Sequence, residues 1–127
     1  MTVFVPALKD ENQQQPVASA WRSTLEAIVE AIASGDFALR GGLPGVPALA
    51  PATAQQIEDY LADYGETLAE LSDATWASSV SLWMGDHWDV LVDLWTEESG
   101  ESDLAMSIRV FEDGGGFRFE VDGVYVP

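Results

Sequence analysis

His87 is the single histidine in this chain, and its neighbours are of the types that nucleophilic catalysis uses. Ser78, Ser79 and Ser81 precede it, and Asp86 and Asp89 flank it. A catalytic triad needs the base within hydrogen-bond reach of the nucleophile and a third group that orients the base. Gly85-Asp86 reads as a tight turn, which predicts a water-facing histidine rather than a general base. Paired carboxylates offer a second chemistry. Asp89 and Asp93 fall on one face of a strand, but four residues at about 3.3 Å each set their backbones roughly 13 Å apart. Glycosidases hold their two carboxyls about 5–9.5 Å apart. Arg109 and Arg118 fall on the same polar side of neighbouring strands, so cross-strand ion pairs are the expected use of these charges.

Asp93, Glu97, Glu98, Glu101 and Asp103 form a dense acidic run. Its spacing is not that of the twelve-residue calcium loop, so a solvated connection is expected and no metal site. One histidine and no cysteine leave no credible transition-metal centre. Gly114-Gly115-Gly116 lacks a following lysine and opens no helix, so it reads as a hairpin turn and not a phosphate loop. No cofactor is expected.

The aromatic residues carry more information. Trp76 and Trp88 fall on the apolar faces of their strands and are expected in the core. Trp83, Leu91, Trp95 and Phe111 take the opposite parity, which predicts a second apolar sheet face that needs cover. The proline-rich loop, the N-terminal segment with Phe4, or a second copy in a homodimer are the alternatives for that cover. With Asp93, Glu97, Glu98 and Glu101 as an acidic rim, this face is the expected partner-binding surface, since aromatic anchors with polar rims mark interfaces.

These residues must be positioned by a small set of elements. Trp21, Leu25, Ile28, Val29 and Ile32 recur at helical spacing, with Gly35 as a stop. Gly41 to Pro51 holds three glycines and three prolines and reads as a surface loop. Thr53 and Gln56 have the form of a capping box, followed by Ile57, Tyr60, Leu61 and Tyr64 on one helical face and Gly65 as its end. Leu68 and Leu71 add one short turn. From Trp76 the period becomes two. Trp76, Ser78, Val80, Leu82 and Met84 share one face of a first strand, and Trp88, Val90, Val92 and Leu94 one face of a second. Leu104, Met106, Ile108 and Val110 mark a third; Phe117, Phe119 and Val121 mark a fourth, with a bend at Gly123. Two helices before four strands predict an α+β fold, with the helices on one face of a four-stranded antiparallel meander. A polar N-terminal segment, residues 1–15, precedes a single domain over 16–127.

Composition bounds the function. The 127 residues carry 22 acids against 5 bases, a formal charge of −17, with 47% hydrophobic residues and five tryptophans. Such a chain has the apolar content to fold. Its charge argues against nucleic acid and anionic membranes as partners. Met1 to Pro6 has no basic residue before its short apolar run, which predicts no cleaved leader. No apolar stretch approaches the roughly 20 residues of a membrane helix, so a cytoplasmic protein is expected.

Trp76-Ala-Ser-Ser-Val-Ser-Leu-Trp83, Trp88-Asp-Val-Leu-Val-Asp-Leu-Trp95, Ser102-Asp-Leu104 and Val124-Tyr-Val-Pro127 together resemble a family of small uncharacterised bacterial domains. The likeness runs from about Trp21 and includes Gly35-Asp36-Phe37 and Tyr64-Gly65. It implies no activity and no catalytic residue. The element order is also similar to cone-shaped domains related to nuclear transport factor 2. Two functions are therefore expected. The first is a non-catalytic acidic protein-binding domain, in one version an immunity or inhibitor protein covering a basic toxin. The alternative binds or transforms an apolar small molecule in a pocket lined by Tyr60, Tyr64, Trp76 and Trp88.

Overall fold

The apolar stripe between Trp21 and Ile32 becomes helix α1, Ser19–Ala33, and all five stripe residues are buried. Glu26 and Glu30 are exposed on its opposite side. These assignments come from a computed structural model that describes residues 3–127. Met1 and Thr2, the start of the Met1–Pro6 stretch, lie outside the described residues. Helix α2 spans Pro51–Tyr64 and ends at Gly65, whose φ of 80° supplies the left-handed cap.

The start of α2 differs from the capping-box expectation. The N-cap is Ala50, and Pro51 opens the first turn with its φ already suited to a helix. Gln56 is thereby released for a tertiary role. Its amide bonds both backbone groups of Val124, with Nε2 donating to the carbonyl at 2.7 Å and Oε1 accepting from the N–H at 3.2 Å.

The sheet has five antiparallel strands in chain order, not four. They are β1 Gln15–Pro16, β2 Val80–Trp83, β3 Trp88–Thr96, β4 Gly100–Asp113 and β5 Gly116–Tyr125. The added strand is two residues at the boundary of the N-terminal segment, Gln15 and Pro16, paired with Ser81 and Val80. It has no apolar alternation of its own, and Pro16, one of its two residues, obscures it in the sequence.

β2 is shorter than the alternating pattern suggested. Asp73–Ala77 forms a 3₁₀ turn, so Trp76 precedes the strand. The hairpin that follows pairs Trp83 with Trp88 and Ser81 with Val90. Trp83 therefore shares the face of Trp88, whereas Val80 and Leu82 point to the other side.

Between α1 and the sheet, Trp21 and Trp88 are both buried, with ring centroids 5.0 Å apart. Phe117 meets Trp21 edge-on at 5.7 Å, and Trp83 meets Trp88 at 4.6 Å. Full burial of an aromatic side chain such as Trp21 or Trp88 contributes at least about 1.5–3 kcal/mol, and the partly buried Trp83 and Phe117 less. The N-terminal segment straps this end of the core. Leu8 accepts from Trp88 Nε1 at 2.9 Å, and the Lys9 ammonium lies 5.0 Å from the Trp83 ring centre.

Both sheet edges are partly covered. Beside β5, Gly45 accepts from the Phe119 N–H, Gln56 pairs with Val124, and the Tyr60 hydroxyl accepts from the Val126 N–H. The part of β3 that outruns β2 is met by the segment after α2, where Ala69 donates to Trp95 and Glu97 donates to Thr67.

Candidate functional site

The face of the sheet turned away from α1 is built by register. Across it, Leu82 lies opposite Asp89 and Asp89 opposite Arg109, which in turn lies opposite Glu120. In the next row, Val80 lies opposite Leu91 and Leu91 opposite Ser107. A shift in register after Ser107 leaves Asp122 as an extra residue on β5, a β-bulge. The result is an open groove of about 380 Å³ that includes Val80, Leu82, Leu91 and Ser107, with Asp89, Asp122 and Tyr125 around it. Its walls come from strands and from Gln14; no helix residue lines it.

Beside the groove stands a charged cluster centred on Phe111. Arg118 lies 4.4 Å from the ring centre and Arg109 5.9 Å, and His87 stacks at 5.2 Å. Each cation is tethered. Arg109 Nε reaches both oxygens of Asp122 at 3.1 and 3.2 Å, and Arg118 donates to Glu120 at 2.9 Å. The Asp122 bonds, reinforced by its charge, push the Arg109 guanidinium above its ordinary pKa. These part-exposed pairs fix geometry more than they stabilise.

His87 differs from the water-facing expectation. Its side chain is only 18% exposed, held over Phe111 with Nδ1 2.6 Å from Asp86 and Nε2 2.9 Å from Asp89. The serines are engaged elsewhere. Ser78 donates to Asp93, Ser79 shares a bond with Thr75, and Ser81 points at the carbonyls of Gln15 and Pro16. The ingredients of a Ser–His–Asp arrangement are present, and the fold separates them. Asp89 faces Arg109 in the ladder, yet it takes His87, while Arg109 takes Asp122 and Glu120.

The expected aromatic patch is not one surface. Trp83 lies on the core side, for the pairing reason given above, and Lys9 covers it. Trp95 and Phe111 do lie on the outer face with Leu91, but at opposite ends. Phe111 is level with His87, eight residues from Trp95 along β3, or about 26 Å. Trp95 packs near Gly100, and its Nε1 is buried with no acceptor among the described residues.

The acidic rim is also dispersed. Asp93 holds Ser78, while Glu97 and Glu101 are exposed at the β3–β4 turn. Glu98 clasps Thr67, accepting from its N–H at 2.7 Å and its hydroxyl at 2.9 Å. The backbone bond is the main cause, and the hydroxyl the second, of a Glu98 pKa below its ordinary value. Among the described residues, no group of three or more acids or histidines is arranged to hold a metal ion.

Tyr60, Tyr64, Trp76 and Trp88 do not converge either. Tyr60 and Tyr64 line a shallow surface concavity with Asp63. Trp76 stacks with Arg22 at 5.2 Å, and Trp88 is in the core. Trp21 fills the space beneath α1 where a ligand would sit.

The residues that do meet, Val80, Leu82, Ser107, Asp122 and Tyr125, were not singled out by type or spacing. One signal pointed to Val80 and Leu82. A two-residue hairpin at Gly85-Asp86 pairs odd with even residue numbers, and this sends Trp83 inward and Leu82 outward.

Fold and site together define a small α+β domain of two helices and a five-stranded antiparallel sheet, with α1 against one sheet face, α2 along β5 and an open, acid-rimmed groove on the other face. A family model, "Domain of unknown function (DUF7668)", matches residues 29–127, and the chain belongs to that family. No curated protein and no solved structure matches it. No helix among the described residues is long and apolar enough to cross a membrane.

Proposed function

We propose that this chain is a non-catalytic protein-interaction domain that docks a basic partner protein on the outer face of its sheet. One observation carries the reading: the groove with an aliphatic floor and carboxylates beside it is open on the strands, while the interior is closed by Trp21 and Trp88. An interior pocket for a small molecule has no comparable support. Catalysis has little either, because His87 is engaged by two carboxylates and not by a serine.

The charge of −17 supplies the second half of the argument. A strongly anionic surface speeds encounter with a cationic protein and suppresses association with another acidic one. The same repulsion weighs against two copies meeting through this face. An inhibitor of a basic, nucleic-acid-acting enzyme is one form such a domain takes.

The test places a photo-crosslinking side chain at Ser107, in the groove, or at Glu26, on the solvent side of α1. Each variant is exposed to extract at low and high salt. The expected result is a basic protein crosslinked from Ser107 alone and lost as salt rises. Crosslinks absent at Ser107, or equal from both positions, overturn the reading.

A further inference from the structure

The groove also restricts what enters it. Its floor runs across the strands from Val80 to Leu91 to Ser107, two aliphatic side chains followed by a small hydroxyl. Asp89 rises at its side, 53% exposed, with Oδ1 facing His87 and no bonding partner on Oδ2 among the described residues. Asp122, by contrast, has both oxygens committed to Arg109. An apolar trough with one available carboxylate oxygen at its side complements a side chain that is apolar along its stem and cationic at its tip. The volume, about 380 Å³, is near the small end of ligand sites and suits one side chain with its flanking backbone.

We propose, building on the docking reading above, that the groove takes a single long basic side chain, arginine or lysine, from an extended segment of the partner. Its methylenes lie across Val80 and Leu91, and its cationic head reaches Asp89. Charge complementarity selects this occupant: an acidic side chain is repelled, and an aliphatic one leaves the carboxylate unanswered.

Net charge alone draws basic peptides to any acidic surface, so the test separates shape from charge. The isotope-labelled full chain is titrated with short Gly/Ser peptides carrying one central arginine, lysine, norleucine or glutamate, and amide shifts are mapped. The arginine and lysine peptides are expected to shift Leu82, Asp89, Leu91 and Ser107, and the other two are not. Leu91→Glu adds negative charge to the floor. Pure electrostatics predicts tighter binding by this variant, whereas the groove predicts binding weaker by roughly fivefold or more.

Leu82→Glu, on the short strand β2, repeats the test should Leu91→Glu fold poorly. Asp89→Asn is expected to weaken binding, while Glu26→Gln with Glu30→Gln, exposed on α1, leaves it unchanged. Shifts spread over the whole acidic surface, or tighter binding by either glutamate variant, overturn the proposal. Persistence of the Ser107 crosslink in Leu91→Glu retires the groove and leaves the docking reading standing. Absence of that crosslink with Leu91 intact retires the docking reading itself.

Discussion

Glu98 belongs to a run of acids that looks interchangeable in sequence, yet it is the one tied to Thr67 through both oxygens. Those bonds favour the carboxylate, and they exist only in the folded chain. Its pKa is therefore lower folded than unfolded. Its stabilising contribution is present above the ordinary value of 4.5 and disappears as pH falls through the lower, folded value. Glu98→Gln is expected to lower the urea midpoint at neutral pH and to match the parent chain in strong acid. A difference that is the same at both pH values shows that the charge is not what Thr67 holds.

At the scale of elements, Gln56 shows how a helix closes the last strand. Its amide occupies the position that another strand's peptide group would take against Val124. Gly123 makes room for it, because a Cβ there would come within 2.7 Å of Gln56 Oε1. Gln56→Ala and Gly123→Ala should each cost about 1–3 kcal/mol, the range for leaving buried backbone groups unpaired. The double variant should cost less than the sum, since both remove the same pairing, and hydrogen exchange at the Val124 amide should quicken in all three. Strictly additive costs in denaturant melts contradict this coupling.

Much of this layer was legible beforehand. The stripe of α1, the buried face of β4 and the alternation of β5 all come from periodicity, because burying one face imposes the period on the sequence. What was not legible was decided by pairing across distance. The capping-box form of Thr53 and Gln56 is real as a pattern, but the partner of Gln56 is 68 residues away. The two residues of β1 owe their strand geometry wholly to β2. The candidate site was legible least. Leu91 was found by its parity, but tryptophan side chains drew the reading of β2 toward the wrong face. Turn geometry, which fixes parity regardless of side-chain type, was the better guide there.

For the molecule as a whole, the excess of acids repels itself, and the paired arginines at Asp122 and Glu120 offset only a little of it. Screening should help the folded state more than it harms those exposed pairs. The thermal midpoint is expected to rise steadily from about 0.01 M to about 1 M sodium chloride, across which the Debye length shrinks from about 30 to about 3 Å. A midpoint that falls over this range assigns the ion pairs around Phe111 a larger share than their exposure suggests.

The partly covered margins of the sheet bear on how the protein behaves when crowded. On one side lie two residues ending in Pro16, whose ring nitrogen has no hydrogen to donate; on the other, Gly45, Gln56 and Tyr60 take the amides of Phe119, Val124 and Val126. A neighbouring molecule finds the bare ledge broken into short stretches, which disfavours the first step of ribbon growth and fibril seeding. Concentrated solutions should stay clear while these closures hold, and Gln56→Ala is the substitution expected to cloud them first.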